Sequence, residues 1–216
     1  MSGGPEPITV LLVDDHAIVR QGYRSLLANA ADIEVVAEAE SGEMACKAYI
    51  DANPGVVIMD LSLPGIGGLR AIRRMVSRDP DARVLVFSMH EDMVFVEQAL
   101  QAGARGYITK TSASEILVEA VRQIAAGEIY LHSEIAQRLA FQRVRGKNTP
   151  FAALSTREFE IFCLLAEGAK VNQIAKRLSL SYKTVANYST QIKNKLGVST
   201  TTELARLAIR HGLVDI

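Results

Sequence analysis

The chain has 216 residues, of which 49% are hydrophobic and 22% charged, and this composition excludes the disordered class of proteins. Its net charge is zero, but residues 1–130 carry 11 Lys/Arg and 18 Asp/Glu, whereas residues 131–216 carry 13 and 6. This asymmetry predicts two functional units, of which the second is suited to a polyanion.

The first half of the chain alternates five short apolar segments with five amphipathic ones. The apolar segments predict strands at 9–13, 34–38, 56–59, 84–87 and 107–109. The amphipathic segments predict helices at 17–29, 42–51, 69–77, 91–102 and 113–126. Because short loops join these elements, we expect an α/β, flavodoxin-like (βα)5 fold with a parallel sheet of strand order 2-1-3-4-5 and helices on both faces.

Four of the predicted strands end on reactive polar side chains. Strand 1 runs into Asp14 and Asp15, strand 3 into Asp60, strand 4 into Ser88 and strand 5 into Lys110. In open α/β sheets the ligand site lies beyond the carboxyl ends of the strands, where the strand order reverses. Strands 1 and 3 flank that point, so we expect three carboxylates, a hydroxyl and an ammonium group in one crevice.

This set of side chains indicates phosphate chemistry. Clustered carboxylates repel one another and require a cation, and their hard oxygen atoms suit Mg²⁺. A carboxylate beside Mg²⁺ acts as a nucleophile toward phosphorus, while the metal, a lysine and a hydroxyl stabilise the phosphoryl oxygens. Taken singly, an Asp after a strand is more often a helix N-cap and a lone Lys is more often solvated. Their joint occurrence at four strand ends favours the phosphate site.

The second half of the chain is predicted to be helical. We divide the chain into a first domain at 7–128, a linker at 129–152 and a second domain at 153–216. The linker contains a predicted short helix at 133–143 and a flexible basic stretch at 145–150. The second domain is expected to be an all-α, four-helix unit.

Capping signals place the helices of the second domain. Ser155-x-x-Glu158 and Thr200-x-x-Glu203 are capping boxes that open its first and fourth helices. Ser181 is the predicted N-cap of the third helix, which follows a short helix and a tight turn. A short helix, a turn and a longer helix form a helix-turn-helix.

The third helix of this domain has two faces at 100° per residue. Val185, Ile192 and Leu196 lie on an apolar face that should pack inward. The predicted DNA contacts lie elsewhere on the helix, at Lys183, Thr184, Ala186, Asn187, Thr190, Lys193, Asn194 and Lys195. In a major groove, Asn pairs with adenine, Thr contacts the thymine methyl group and Lys meets phosphates. The simpler interpretation is a solvated basic face on a helical packing module.

These residues resemble those of a known family. Residues 7–128 resemble the receiver domain of a two-component response regulator, in which a sensor histidine kinase phosphorylates an aspartate. The implied roles are phosphoacceptor for Asp60, Mg²⁺ ligands for Asp14, Asp15, Asp60 and the carbonyl group of Ser62, switch residues for Ser88 and Tyr107, and phosphate binding for Lys110. Thr111 stands where the family often has a proline.

The second domain resembles the LuxR-type helix-turn-helix. The resemblance lies in Leu154-Ser155-x-Arg157-Glu158, Lys183-Thr184-Val185 and Ile192-x-x-Lys195-Leu196-Gly197-Val198. Together, the two resemblances indicate a NarL/FixJ-type response regulator. They imply phosphorylation-activated binding to double-stranded promoter DNA as a homodimer, with RNA polymerase as a further candidate partner. Lys170 stands where the family usually has Ser or Thr, which predicts a helix cap weaker by about 1 kcal/mol.

Two other functions remain open at this point. The first is a phosphorylation-independent DNA-binding regulator whose receiver serves only for dimerisation. The second is a phosphate-handling enzyme that uses the same crevice, but the sequence offers no general base for a separate substrate. We expect no enzymatic activity beyond self-phosphorylation from phosphodonors and autodephosphorylation. Because no run of about 18 apolar residues and no signal peptide is present, we expect a cytoplasmic protein without membrane contact.

Overall fold

The computed structural model describes residues 6–112, 114–144, 150–211 and 213–214, without the side chains of 142–144. The chain forms two compact units. The first comprises residues up to 91 together with residues 99–136, and the second comprises residues 92–98 together with residues from 137 onward. Within the described ranges, no helix is both long and apolar enough to cross a membrane. The predicted basic stretch of the linker lies, except for Pro150, outside the described residues.

The first unit is built on a parallel sheet. Its strands are β1 (Ile8–Val13), β2 (Ile33–Ala39), β3 (Val56–Met59), β4 (Val84–Ser88), β5 (Gly106–Thr109) and β6 (Tyr130–Leu131). The order is β2-β1-β3-β4-β5-β6, and every neighbouring pair is parallel. The predicted order 2-1-3-4-5 is therefore confirmed. The sequence analysis missed β6, because two residues are too short to show a strand periodicity.

The helices that connect these strands are close to their predicted positions. They are α1 (Ala17–Ala28), α2 (Gly42–Ala52), α3 (Gly68–Arg78), α4 (Met93–Ala102) and α5 (Ser114–Ala125). The prediction for α4 began two residues too early, at Glu91. Ser41 caps α2 as expected, since its hydroxyl oxygen accepts a hydrogen bond from the Met44 N–H at 3.3 Å.

The pairing of β1 with β3 brings the two predicted acidic positions to the same edge of the sheet. Residues 10–13 of β1 and all of β3 are apolar and almost without solvent exposure, as expected for the centre of a parallel sheet. Val13 pairs with Met59, and the Asp60 N–H donates to the Val13 carbonyl oxygen at 3.0 Å. Asp14 and Asp60 each follow directly on these paired residues, so the register fixes their proximity.

Beyond β6 the chain is helical. The elements are α6 (Ser133–Val144), a 3₁₀ turn (Pro150–Ala153), α7 (Thr156–Ala166), α8 (Val171–Arg177), α9 (Tyr182–Leu196) and α10 (Thr201–Arg210). The fully buried rings of Phe151, Phe159 and Phe162 pack together, and the Phe151 and Phe162 centroids are 4.9 Å apart. Both predicted capping boxes are present, at Ser155 before α7 and at Thr200 before α10. The predicted helical architecture of this part is confirmed.

Gly68 offers a test of the loop that follows β3. A Cβ atom at this position would overlap the Asp60 carbonyl oxygen and lie 2.7 Å from the Leu61 Cα. We expect Gly68→Ala to lower the free energy of unfolding by about 1–3 kcal/mol, because backbone must move to admit the methyl group. Urea denaturation measures the change.

The matched control for this substitution is Gly22→Ala in α1. A Cβ at Gly22 has no neighbour within 4 Å, so the methyl group enters open space. We expect the free energy of unfolding of this variant to rise by about 0.5–1 kcal/mol, since alanine is more favourable than glycine in a helix interior. Equal stability of the two variants would contradict the close packing of Gly68 against the backbone.

Candidate functional site

The ends of β1, β3 and β5 bring two carboxylates and one ammonium group together. The Lys110 Nζ lies 2.5 Å from the Asp14 Oδ2 and 2.8 Å from the Asp60 Oδ2. The side chains of Asp14 and Asp60 are 3% and 4% exposed, and that of Lys110 is 8% exposed. The convergence expected from the strand ends is therefore present in the structure for these three residues.

The charge state of Lys110 follows from two opposing effects. Burial alone would lower the pKa of the ammonium group, but its hydrogen bonds to Asp14 and Asp60 and the charges of the two carboxylates together raise it above its usual value. Lys110 is thus fully protonated at neutral pH. It balances only one of the two carboxylates that it contacts, so the crevice keeps an excess of negative charge.

Asp15 adds a third carboxylate at the rim of the site. The His16 Nδ1 lies 2.8 Å from the Asp15 Oδ1, and the His16 backbone N–H donates to the Asp14 Oδ1 at 2.8 Å. Candidate ligand atoms of Asp14, Asp15 and His16 all lie within 4.8 Å of one another. His16 was not among the site residues predicted from the sequence, although its position directly after the acidic pair was an available signal.

The Asp60 carboxylate is oriented by the loop that follows it. Its Oδ1 accepts hydrogen bonds from the Leu61 N–H at 2.7 Å and from the Ser62 N–H at 3.4 Å. The Oδ2 faces Lys110, so both oxygens are held. The Ser62 Oγ lies 3.1 Å from the His90 Nε2 at the exposed mouth of the site. The carbonyl group of Ser62 is the predicted additional metal ligand.

Ser88 and Tyr107 are linked through His90, which the sequence analysis did not include in the site. The His90 N–H donates to the Ser88 Oγ at 3.4 Å, and the Tyr107 hydroxyl donates to the His90 carbonyl oxygen at 2.8 Å. Both Ser88 and Tyr107 are fully buried. Burial lowers the pKa of His90, an effect that the Asp60 charge opposes and the Lys110 charge reinforces. The backbone of Lys110 is tied to this group, since its N–H donates to the Ser88 carbonyl oxygen.

Helix α9 presents most of the predicted DNA contacts to solvent. Val185 and Ile192 are buried as predicted, Ser189 is buried beside them, and Leu196 is half-buried. The exposed candidates are Lys183, Asn187, Thr190, Asn194 and Lys195, and the half-buried ones are Thr184, Ala186 and Lys193.

Three side-chain bonds restrain the candidate surface of α9. The Ser181 Oγ accepts from the Thr184 N–H at 3.0 Å and also lies 2.8 Å from the Thr184 Oγ1. The Thr190 hydroxyl donates to the Ala186 carbonyl oxygen at 3.2 Å. Because that hydroxyl is already bonded to the backbone, a methyl contact is the more available role for Thr190 in a groove.

Lys195 contacts a buried carboxylate in the structure. Its Nζ lies 2.6 Å from the Glu158 Oε2, and the same oxygen accepts the Ser155 N–H at 2.7 Å as part of the cap of α7. Burial alone would raise the pKa of Glu158, but the hydrogen bonds from Lys195 and Ser155 lower it below its usual value. The pair joins α9 to the start of α7, a role that the charge pattern of α9 alone did not reveal.

The start of α8 departs from the usual cap in the way the sequence indicates. Lys170 occupies the N-cap position and makes no side-chain cap, because an ammonium group has no acceptor. The Gln173 Oε1 accepts the Lys170 N–H at 2.8 Å, which supplies only the reciprocal half of a capping box.

Comparison with known proteins identifies the class of both units. Residues 10–122 match the family described as "Response regulator receiver domain", and residues 152–208 match "Bacterial regulatory proteins, luxR family". Response regulator GacA of Pseudomonas aeruginosa is 42% identical over 210 residues, which cover 96% of this chain and 98% of that protein. Response regulator UvrY of Escherichia coli K12 is 42% identical over 210 residues and 96% of each protein.

Solved structures agree with this classification. RcsB from Salmonella enterica serovar Typhimurium, bound to promoter P1flhDC in the presence of phosphomimetic BeF3⁻, is 28% identical with a TM-score of 0.70, over 94% of this chain and 98% of that one. A LuxR-family two-component response regulator from Aurantimonas is 43% identical with a TM-score of 0.62, over 64% of this chain and 99% of that one. The chain belongs to the NarL/FixJ-type response regulators, with a receiver domain and a LuxR-type DNA-binding domain.

The Glu158 ion pair predicts a pH dependence of stability. A carboxyl group whose pKa is lowered on folding stabilises the protein above its unfolded pKa and loses that contribution as the pH falls through its folded pKa. We therefore expect thermal stability to fall as the pH drops below the ordinary glutamate value of 4.5, and to fall less steeply in Glu158→Gln. Calorimetry across this range makes the comparison.

The control for this experiment is Glu167→Gln, which changes an exposed carboxyl group at the end of α7. The thermal stability of this variant should show the same pH dependence as that of the parent protein. If Glu158→Gln also follows the parent, the carboxylate of Glu158 does not support folding in the way described.

Proposed function

We propose that the protein is a phosphorylation-activated transcription regulator in which Asp60 accepts a phosphoryl group from a sensor histidine kinase. The contact of Lys110 with both Asp60 and Asp14 is the observation that carries this proposal. An oxygen of Asp60 attacks the phosphorus atom of the kinase's phosphohistidine, the P–N bond breaks and the imidazole leaves, while the ammonium group of Lys110 stabilises the phosphoryl oxygens. The GacA and UvrY relatives, both response regulators, support the same class of function.

The donor set of the crevice fits Mg²⁺. Lys110 leaves part of the negative charge of the three carboxylates unbalanced, and carboxylate oxygens are the ligands that Mg²⁺ prefers. Asp14, Asp15, Asp60 and the carbonyl group of Ser62 would hold the ion. Once bound, it would neutralise the charge of the phosphoryl oxygens during transfer.

The proposed switch lies in the residues that meet at His90. Phosphorylation is expected to draw the Ser88 hydroxyl toward the phosphoryl oxygens, and the Ser88 Oγ is now bonded to the His90 N–H. Tyr107 is already buried, with its hydroxyl bonded to the His90 carbonyl oxygen, and we expect phosphorylation to stabilise this inward orientation. A change at Ser88 would thereby reach Tyr107 and bias a two-state equilibrium toward dimerisation or DNA binding.

The proposed target is double-stranded promoter DNA. The exposed residues of α9 would enter the major groove, where Asn187 and Asn194 offer bidentate contacts to adenine and Lys183 meets phosphates. Lys195 would act mainly by holding α9 against Glu158. A homodimer would read two half-sites about one DNA turn apart. Structures of RcsB bound to a promoter and of RcsB dimers bound to DNA support a DNA-bound dimer. Because the proposed target is promoter DNA, we propose a cytoplasmic location for the protein. RNA polymerase is a further proposed partner.

The alternative to this proposal is a regulator that binds DNA without phosphorylation and uses its receiver only to dimerise. The buried Asp60 carboxylate, which contacts Lys110, argues against this alternative, since dimerisation alone does not require a buried carboxylate cluster. We propose no further enzymatic activity, beyond self-phosphorylation from small phosphodonors and autodephosphorylation.

The phosphoacceptor role of Asp60 is tested by Asp60→Asn. We expect this variant to lose all acyl-phosphate labelling by a small phosphodonor, because an amide does not act as the nucleophile. It should also lose the rise in DNA affinity that the phosphodonor causes. The control is Asp51→Asn, which alters an exposed carboxylate in α2 and should retain both responses. Labelling that persists in Asp60→Asn would place the phosphoryl group elsewhere.

The DNA contacts are tested by Asn187→Ala and Lys193→Ala. We expect Asn187→Ala to reduce discrimination between specific and random duplexes by about 1–3 kcal/mol, because a base contact is lost. Lys193→Ala should weaken binding to both duplexes alike, because phosphate contacts carry no sequence information. Titrations at fixed salt concentration measure both. Equal losses on both duplexes for Asn187→Ala would contradict the proposed groove-facing side of α9.

A further inference from the structure

Helices α2 and α3 enclose a surface groove that the phosphate site and the DNA interface do not use. It has a volume of about 580 Å³. One wall is basic, with Arg70, Arg73, Arg74 and Arg78 of α3, and the other is apolar, with Tyr49 and Ile50 of α2. The two helices are tied together where the Tyr49 hydroxyl donates to the Oδ2 of Asp79, just beyond the end of α3, at 2.5 Å.

The basic wall stands out against the charge of its surroundings. Helix α3 carries four arginines and no Asp or Glu, although residues 1–130 have seven more acidic than basic residues. Arg70, Arg74 and Arg78 recur every four residues, which aligns them along one side of the helix over about 12 Å. Arg73, Arg74 and Arg78 are exposed. A short anionic ligand at the groove would therefore meet a local positive stripe.

Acidic residues close to the groove do not cancel the positive charge of this stripe. Glu43 and Asp51 lie on α2, and Asp79 follows the end of α3. Asp79 is already bonded to Tyr49. Together α2 and α3 hold five basic and two acidic residues, so their combined surface remains positive.

The other wall exposes apolar surface. Ile50 is 49% exposed on the groove side of α2. Phosphates and nucleic-acid backbones gain nothing from such contacts, whereas aliphatic side chains of a peptide do. The combination of a basic stripe and an apolar wall matches a helix with one acidic and one apolar side.

We propose that the groove between α2 and α3 binds an acidic amphipathic segment of another protein. Aspartate and glutamate side chains would pair with Arg73, Arg74 and Arg78, and aliphatic side chains would cover Ile50. A long duplex would extend past the short stripe onto the acidic remainder of the unit, where it is repelled. A small phosphate ligand is disfavoured because three of the four arginines are exposed rather than held in a closed site.

The probe for this proposal is a fluorescein-labelled synthetic peptide of about 14 residues, long enough for a helix to span the groove. It carries Leu on one helical side and Glu on the other, and its partner peptide has every Glu replaced by Gln. The full-length protein is titrated into each peptide, with fluorescence anisotropy as the readout. A labelled duplex and the sedimentation of the unlabelled protein are followed in parallel.

Two variants separate the walls of the groove. Arg73→Glu with Arg74→Glu reverses the basic stripe, and Ile50→Ser removes the apolar contact. The charge-matched control is Arg206→Glu with Arg210→Glu on α10, which leaves the groove untouched. Thermal melting and labelling of Asp60 by a small phosphodonor confirm that each variant is folded.

We expect the acidic peptide to bind the parent protein and the α10 control with the same affinity. Its affinity for both groove variants should be lower by about tenfold or more. The Gln peptide should bind the parent weakly. The proposal is overturned if the acidic peptide binds groove and control variants equally. It is also overturned if the groove variants instead lose binding of the duplex, because the occupant is then a nucleic acid. The same holds if they lose a self-association that the parent protein shows, because the occupant is then a second copy of the chain.

Discussion

The contact of one lysine with two buried carboxylates is the constraint on which the receiver unit depends. Asp14 and Asp60 would repel each other strongly at their low exposure if Lys110 did not lie between them. The contact requires the ends of β1, β3 and β5 to meet at one edge, which the parallel order of the sheet provides. The negative charge that remains there is what suits the site to the proposed divalent cation.

The DNA-binding unit depends on a comparable pairing of burial and charge. Glu158 caps α7 and binds Lys195, so one buried carboxylate fixes both the start of one helix and the end of another. Ser181 holds the opposite end of α9. With both ends anchored, the exposed residues between Lys183 and Asn194 are presented on a rigid helix, which is the condition for reading a base sequence.

The sequence predicted what local patterns encode and missed what depends on three-dimensional contacts. Five strands, their order and the meeting of Asp60 with Lys110 follow from apolar runs that end in polar residues. The strand β6 has two residues and shows no pattern. The position of His90 depends on the conformation of the loop after β4, and the partner of Lys195 lies 37 residues away along the chain. The basic groove arises only when α2 and α3 pack side by side.

If the roles proposed above are right, the state of the Asp60 crevice controls DNA binding. The most direct test of this control is a titration with beryllofluoride and Mg²⁺, a stable mimic of the phosphoryl group, with affinity for a promoter duplex as the readout. We expect a saturable rise in affinity that disappears when the lysine of the crevice is changed by Lys110→Ala. A DNA affinity that does not respond to beryllofluoride in the parent protein would contradict it, and would favour a regulator whose receiver serves only for dimerisation.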